Sequence, residues 1–556
     1  MEYLLTQTEM QELDRYAIEE LGVPQYWLME NAAQAIVDEI VFSDPPHKRV
    51  LFVVEGGNNG GDGLAAARIL KENEPQYDIL VYYIHGVKRV SEAFLYQLQK
   101  AKEQGVAITE EMPMEQEFDI VVDGIFGVGL AREIKGIQAE VIAWMNQLMA
   151  YKIAIDIPSG VHATTGTILG TAFQAETTIT FGYPKLGMVM YPGKTYAGEV
   201  EVANIGFPAE ALQHISPQYG SYGNSYDLVN RIMKRYPRRY PQSNKGTYGK
   251  VMLIAGSPGM AGAAYFAALA AYRCGCGLVY IVTHESNRVV LQMRIPEAIV
   301  LSYENEEQAF AIVEQNWKQM DAVLIGSGLS LSEDACRLVK KVVTYSCNEQ
   351  DKKPVVVDGD ALTILSQNPD IIEQYQKRLV QERPYLILTP HLKEMARLCN
   401  QPVTWIQENI LTIPHEYMKM LESPKDFILV LKDARTIVKA AKYPAYINMT
   451  GNHGMATAGS GDVLAGMITA LVALANTQND ADYYETVCRA VCLHGAAADA
   501  IREKTGSVSM MASDVLAGIV LVMKKYDEVN ESVDTRSWEE YWQSMDYQRD
   551  RKNDIF

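Results

Sequence analysis

A chain of 556 residues, 48% apolar and 21% charged, can bury substantial cores, and at ~100–200 residues per domain it should hold two to four domains. A formal charge of −19 argues against a nucleic-acid binder, which would show a basic face. The opening stretch MEYLLTQTEMQELDRYAIEELG has no basic segment followed by an apolar core, and no run of ~18 uncharged apolar residues occurs, so neither a secretory signal nor a membrane span is expected.

The local basic cluster Lys234, Arg235, Arg238 and Arg239 reads as a solvated linker. All seven cysteines follow residue 270. Cys274 and Cys276 form C-x-C, and no second pair stands at zinc-site spacing. Buried thiols in a reducing cytoplasm are the expectation.

In chain order, apolar strand candidates fall at 49–56, 78–86, 118–127, 152–160 and 177–184, separated by helix-length segments. That alternation predicts βαβ units and a mostly parallel sheet. The polar, Gly- and Tyr-rich stretch HISPQYGSYGNSYDL (214–228) reads as a boundary. The alternation resumes at 250–257, 278–284, 321–328, 353–360, 385–391 and 427–436. Two α/β domains follow: 1–215 and 236–525, with a linker at 216–235 and a charged tail at 526–556.

VVEGGNNGGDGLAAARIL (53–70) puts a glycine-rich turn between a strand and a helix. Such a turn can aim amide groups and a helix N-terminus at an anion. A tight strand–helix connection is the alternative. The spacing is not G-x-G-x-x-G, so the standard dinucleotide fingerprint is absent. Asp123 and Asp156 end two further strands, where ligands of open α/β sheets gather, and Ser159 follows closely. With Asn59 they offer oxygen donors for a monovalent or hard cation; spacing alone leaves an ion site and a catalytic pair both open.

In the second half, GSGD (459–462) precedes an apolar helix. Small residues at a helix N-terminus can hold a transferring phosphoryl group, and Asp462 can take a proton from an attacking hydroxyl. A simple helix cap is the competing reading. No G-x-x-x-x-G-K-[ST] occurs, which excludes a P-loop enzyme. LKDART (431–436) sets Lys432 and Arg435 where they can neutralise phosphates, unless the segment is a solvated hairpin. His391 and His494 read as structural hydrogen-bonding histidines.

GGNNGGDG, VVDGIFGVGLAREIKG, DIPSGVHATTG and TFGYPKLGMVMYPGKTYAGEV, in that order, resemble the NAD(P)H-hydrate epimerase domain across nearly all of 1–215. The resemblance implies a Rossmann-like three-layer sandwich that interconverts the R and S hydrates of NADH or NADPH. It implies hydrate contacts at Asn58, Asn59, Gly60, Gly61 and Asp62, at Gly127, Val128, Gly129, Leu130, Ala131, Arg132 and Glu133, and at Asp156. It implies potassium at Asn59, Asp123 and Ser159. Asp156 is then the expected acid/base, since these motifs hold no cysteine and no histidine but His162 of DIPSGVHATTG.

NKGTYGKVMLIAGSPGMAGAA, IGSGLS, TPHLKEMARL, LKDART and GNHGMATAGSGDVLAGM resemble the ribokinase-like NAD(P)H-hydrate dehydratases over about 230–525. The resemblance implies hydrate contacts at Ala263, Gly328, His391 and Asp462, and adenine-nucleotide contacts at Lys432, Asp433, Ala434, Arg435, Thr436 and Gly461. Bacterial members use ADP and eukaryotic ones ATP, with magnesium in either case. Two departures stand out: PHLKE where a Pro-Gly usually precedes the Glu, and DGDALT where DADALN is usual. A cytoplasmic homo-oligomer acting on hydrated NADH or NADPH is expected, with no nucleic-acid or membrane partner. The alternatives are a ribokinase-like vitamin-precursor kinase fused to a nucleotide-binding regulatory domain, which would share Asp462 but not need the Asn59/Asp123/Ser159 set, and a non-catalytic binding protein.

Overall fold

A computed structural model describes residues 1–85, 90–223, 227–346, 353–377, 386–421, 427–477 and 482–529. The chain divides into two compact units, Glu2–Gly220 and Ser221–Phe556. The break falls inside the stretch read as a boundary. The expected linker, however, contains the helix Leu228–Met233, whose Leu228, Ile232 and Met233 are buried in the second unit's core.

In the first unit seven strands are β1 (Arg49–Val54), β2 (Asp78–Tyr83), β3 (Ala107–Thr109), β4 (Ile120–Gly124), β5 (Tyr151–Ile155), β6 (Thr177–Phe181) and β7 (Glu199–Ala203). They pair in the order β3-β2-β1-β4-β5-β6-β7, all parallel. Alternate residues of β1 enter different cores: Val50, Phe52 and Val54 on one face, Leu51 and Val53 on the other. Both faces are therefore covered, as an apolar parallel strand requires. The order reverses between β1 and β4, so the crevice at their carboxyl ends is the natural place for a ligand. The helices that shape it are α1 (Gln7–Glu19), α2 (Gln25–Phe42) and α3 (Asn58–Asn73).

The glycine-rich run is not the loop the sequence suggested. α3 begins at Asn58, so Gly60, Gly61 and Gly63 lie within it. A Cβ on Gly60 would stand 1.9 Å from the Glu55 carbonyl oxygen, and one on Gly63 2.9 Å from Val54. These glycines let the helix press onto its strand; only Gly57–Asn59 and Asp62 reach the crevice.

In the second unit the strands are β8 (Lys250–Ile254), β9 (Leu278–His284), β10 (Ile299–Tyr303), β11 (Ala322–Ile325), β12 (Val355–Val357), β13 (Leu386–Leu388), β14 (Phe427–Leu431), β15 (Ile437–Ala440) and β16 (Ala445–Ile447). They run β16-β15-β14-β13-β12-β11-β8-β9-β10, parallel except for the antiparallel β14-β15 and β15-β16 pairs. Around this sheet stand α4 (Ala261–Arg273), α5 (Asp360–Gln367), α6 (Leu392–Leu398), α7 (Ser460–Thr477) and α8 (Tyr483–Thr505). α7 is long and apolar enough to span a membrane by length and composition, which the sequence reading did not expect. It is a core helix: Gly466 sits so close to α4 that a Cβ there would lie 2.2 Å from the Ala267 carbonyl.

Part of the basic cluster is docked rather than solvated. Arg239 stacks 4.3 Å from the centre of the Tyr248 ring and donates to the Gly275 carbonyl at 2.6 Å. The tail's first residues, 526–529, continue a helix from 512, and the Tyr526 hydroxyl accepts from the Arg239 amide. Residues 530–556 lie outside the described set.

Candidate active sites

A cavity of about 700 Å³ opens at the β1/β4 reversal. Its wall takes Glu55 and Gly57–Asn59 from the end of β1, Ile125–Arg132 after β4, Asp156 after β5, and Asp14 from α1. Of the expected hydrate contacts, Asn58, Asn59, Asp62, Gly127–Arg132 and Asp156 line it. Gly60 and Gly61 stand behind the wall. Glu133 points elsewhere and pairs with Lys135 at 2.8 Å.

Asp156 adopts φ +65°, a left-handed conformation that Asp tolerates better than most residues and that is frequent at functional positions. Its carboxylate accepts from the Phe181 amide at 3.3 Å and forms an ion pair with Lys185, which is fully buried. Lys185 Nζ also donates to Thr180 Oγ1 at 2.8 Å and to the Phe181 carbonyl at 3.0 Å. All three lysine protons are thereby engaged, and a buried ammonium is matched to one carboxylate. Nearby, enclosure and then the Asp156 charge push Asp62 well above the carboxylate range. The same causes bring Asp14 to about 6, although its side chain is open to the cavity's solvent.

Asp123 is fully buried and accepts from Ser159 N and Ser159 Oγ, each at 2.7 Å, and from Ile125 N at 3.2 Å. Desolvation lifts it to about 6 against those donors. Asn59 is buried with Nδ2 lacking a partner, and a Cβ on Gly127 would lie 3.2 Å from Asn59 Oδ1. Ser159 Oγ also lies 3.3 Å from the Phe126 carbonyl. Asp123 and Ser159 are thus in direct contact, and Asn59 lies against Gly127 of the loop that follows Asp123; oxygens of this kind around a buried carboxyl are the donor chemistry of a weakly hydrated cation.

In the second unit the ends of β11, β12, β13 and β14 converge on the start of α7. Asp358 Oδ1 accepts from Lys432 Nζ at 2.8 Å and Thr389 Oγ1 at 2.7 Å, and Oδ2 from Ser327 Oγ at 3.1 Å. Asp462 stands in the first turn of α7; burial, then the Asp358 charge, raise it to about 6, while Ser327 and Lys432 pull the other way. Gly461 lies against the same lysine: a Cβ there would be 3.4 Å from Lys432 Nζ. Ala263 and Gly328 meet at the β8/β11 reversal, where a Cβ on Gly328 would come within 2.8 Å of the Ala263 Cβ. Gly328 has φ +61° and leaves no room for a side chain.

His391 caps α6. Its Nδ1 accepts from the Lys393 and Glu394 amides, and Glu394 returns a bond to the His391 amide. The remaining ring N–H is therefore Nε2, an assignment from the network. This capping box explains how Leu392-Lys393 replaces the usual Pro-Gly without loss of the turn. At DGDALT, Gly359 takes φ +56° and Asp360 accepts from the Ser330 amide at 2.7 Å, so the altered motif is also locally satisfied. Residues 432–436 form the β14-β15 hairpin. Arg435 is buried and donates to the Met449 carbonyl at 3.0 Å; Asp433 and Ala434 form the hairpin's exposed part. His494 is buried with Nε2 lacking a hydrogen-bond partner among the described residues, and burial and Lys432 push it down to about 4.

Sequence reasoning gave no role to Asp14, Lys185, Ser327, Asp358 or Glu394. Lys185 and Asp358 stood inside quoted motifs, and Ser327 in LIGSG, each at a strand end where a polar group deserved a role. Asp14 carried no signal, being one acidic residue on an amphipathic helix.

Family models describe two parts of the chain: the YjeF-related protein N-terminus over residues 25–187 and NAD(P)H-hydrate dehydratase over 251–522. The bifunctional NAD(P)H-hydrate repair enzyme of Moorella thermoacetica is 33% identical over 96% of this chain and 98% of its own. That of Escherichia coli is 30% identical over 93% and 95% respectively. A solved ADP/ATP-dependent NAD(P)H-hydrate dehydratase from Bacillus subtilis, co-crystallised with ATP and magnesium, is 28% identical and covers 54% of this chain and 97% of its own, with a TM-score of 0.43. The chain belongs to the bifunctional NAD(P)H-hydrate repair enzymes.

Proposed function

We propose that the first unit epimerises the R and S hydrates of NADH and NADPH and that the second dehydrates the S form at the expense of ADP. The observation that carries the second half is Asp462, a half-buried carboxyl raised in pKa at a helix N-terminus, with Gly461 beside the Lys432 ammonium. Asp462 takes the proton of the hydrate hydroxyl as that oxygen attacks the terminal phosphorus of ADP. The amides at 459–461 and Lys432 carry the charge that develops on the phosphoryl oxygens. The ring nitrogen's lone pair then expels phosphate, and loss of a ring proton restores the reduced nicotinamide without redox change. Ala263, Gly328 and His391 would flank the hydrate, and 432–436 with Gly461 the nucleotide.

Magnesium would arrive on the nucleotide's phosphates: among the described residues no group of three His, Cys, Asp or Glu is placed to hold a metal. In the first unit Asn59, Asp123 and Ser159 would hold potassium, which supplies a positive charge beside the loop 125–132 that faces substrate. Asp156, held by Lys185, would be the acid/base of epimerisation. The domain limits 1–215 and 236–525 frame these activities. We place the protein in the cytoplasm as a homo-oligomer, a reading supported by the free Cys274, Cys276, Cys488 and Cys492, all buried, and by the exposed Tyr26, Trp27 and Phe42 on α2.

The test is recovery of reduced-nicotinamide absorbance from hydrated NADH with ADP and ATP in parallel, for the wild type and Asp462→Asn. Recovery with ADP, lost in the variant, supports the proposal. Turnover of ATP on a vitamin alcohol with no recovery from hydrate overturns it in favour of a kinase.

A further inference from the structure

The helix α1 lies wholly before residue 25, where the family's N-terminal model begins its match, yet it builds one wall of the first cavity. Its placement is fixed in several ways. Thr6 and Glu9 form a complete capping box at its start, and the Gln7 amide donates to Thr164 Oγ1 at 2.9 Å. Leu13 and Ala17 are fully buried beneath it. Just ahead of it, the Leu5 amide donates to the Pro184 carbonyl at 3.0 Å and the Leu5 carbonyl accepts from the Leu186 amide at 2.9 Å. Those two bonds bracket Lys185, the residue whose ammonium is spent on Asp156. The segment thus grips the Asp156–Lys185 pair from behind and extends Asp14 into the cavity in front of it.

We propose that Asp14 is a further catalytic residue of epimerisation, handling the migrating hydroxyl from the same wall as Asp62 and alongside Asp156, which Lys185 holds in place. The inference rests on the epimerase reading of this cavity. Two carboxyls from different elements, Asp14 on α1 and Asp62 on α3, share one wall with Asp156. The charged groups facing Asp14 are Asp156, which disfavours its ionisation, and Lys185, which favours it; Asp62 faces the same pair and also Asp14, whose charge raises it further, and Glu55 and Arg132 lie further round the wall. The lysine is already spent on Asp156, so enclosure favours the protonated form of Asp62 and lifts Asp14 to about 6, where it holds a donatable proton at the acid end of the range and gives it up above.

The step balances without an outside reagent. A carboxyl gives its proton to the hydroxyl oxygen, the carbon–oxygen bond breaks with its electrons on oxygen, and water is released. The ring nitrogen's lone pair fills the gap as a C=N bond. Water then adds to the opposite face of the same carbon and returns a proton to the carboxylate. Two acids on the wall allow one to donate while the other receives.

The experiment follows interconversion of R and S hydrate by chromatography with ADP omitted, so that the second unit is silent. Asp14→Asn should lower kcat by about 10²-fold with KM changed less than threefold, the range for loss of a positioned acid. The wild type should lose rate as pH rises from 6 to 8, and the variant should lose that limb. Asp14→Glu should restore part of the rate, and Glu12→Gln, on the outer face of the same helix, should leave rate and profile as they are. Wild-type kcat and pH profile in a folded Asp14→Asn protein overturn the proposal. If that variant does not fold, an Asp14→Glu protein with an unaltered rate and profile overturns it instead. Absence of epimerisation by the wild type sinks the epimerase reading, which is a separate result.

Discussion

Lys432 Nζ lies 2.8 Å from Asp358 Oδ1, so the ammonium that faces the start of α7 is anchored to the end of β12. Burial disfavours that charge, but Asp358, Glu394 and Asp462 together hold the lysine above its ordinary pKa. The arrangement leaves Asp462 between an anion that raises its proton affinity and a cation that lowers it.

The acid limb of dehydration should therefore move in opposite directions in two variants. Asp358→Asn removes the raising charge and should carry the limb of kcat to lower pH. Lys432→Met removes the lowering charge and should carry it to higher pH. Single-turnover rates with ADP between pH 4.5 and 8 read both shifts; parallel movement of the two limbs refutes this electrostatic account.

Asp462 itself stands at about 6, and a base works only when ionised. Wild-type kcat should fall about tenfold per unit below pH 6 and be flat above 7. Asp462→Asn should lose a factor of about 10²–10⁴ with little pH dependence left.

Asp123 gives the first unit a pH-dependent weakness. Its folded pKa of about 6 exceeds the ordinary 3.8, so the folded state binds the proton more tightly and stability declines as pH rises from about 4 through 6. Two units correspond to about 3 kcal/mol. In potassium-free buffer the Tm of the first unit should drop between pH 5 and 7.5, and potassium should raise it mainly at 7.5. Calorimetry with Asp123→Asn should show both effects gone.

Gly60 offers a packing test. A methyl there meets the Glu55 carbonyl oxygen at 1.9 Å, so Gly60→Ala should destabilise the first unit by about 1–3 kcal/mol despite alanine's better helix propensity. Urea denaturation resolves a change of that size, and a stabilised variant contradicts the contact.

Strand positions and the division into two α/β units were legible because apolar runs recur between helix-length segments. The oxygen donors Asn59, Asp123 and Ser159 were legible because each sits at or just past a strand end. The role of GGNNGGDG was not, since glycines that admit a neighbouring backbone and glycines that bare amides to a ligand look alike in one dimension. Partnership was invisible too: nothing in FGYPKLG says that Lys185 turns back on Asp156, or in LKDART that Arg435 turns inward while Lys432 finds Asp358. Those choices are made by tertiary packing, and Asp14 shows the extreme case, a residue whose helix period hides it entirely.

The bridge between Leu5 and Lys185 joins positions 180 apart in sequence. Contacts of such long range repay their loop-closure entropy only late, after the central strands have aligned. A half-assembled first unit would own its sheet but not its seated ammonium. Under the proposed assignment, epimerisation in the first unit waits on that last closure, whereas dehydration in the second unit does not.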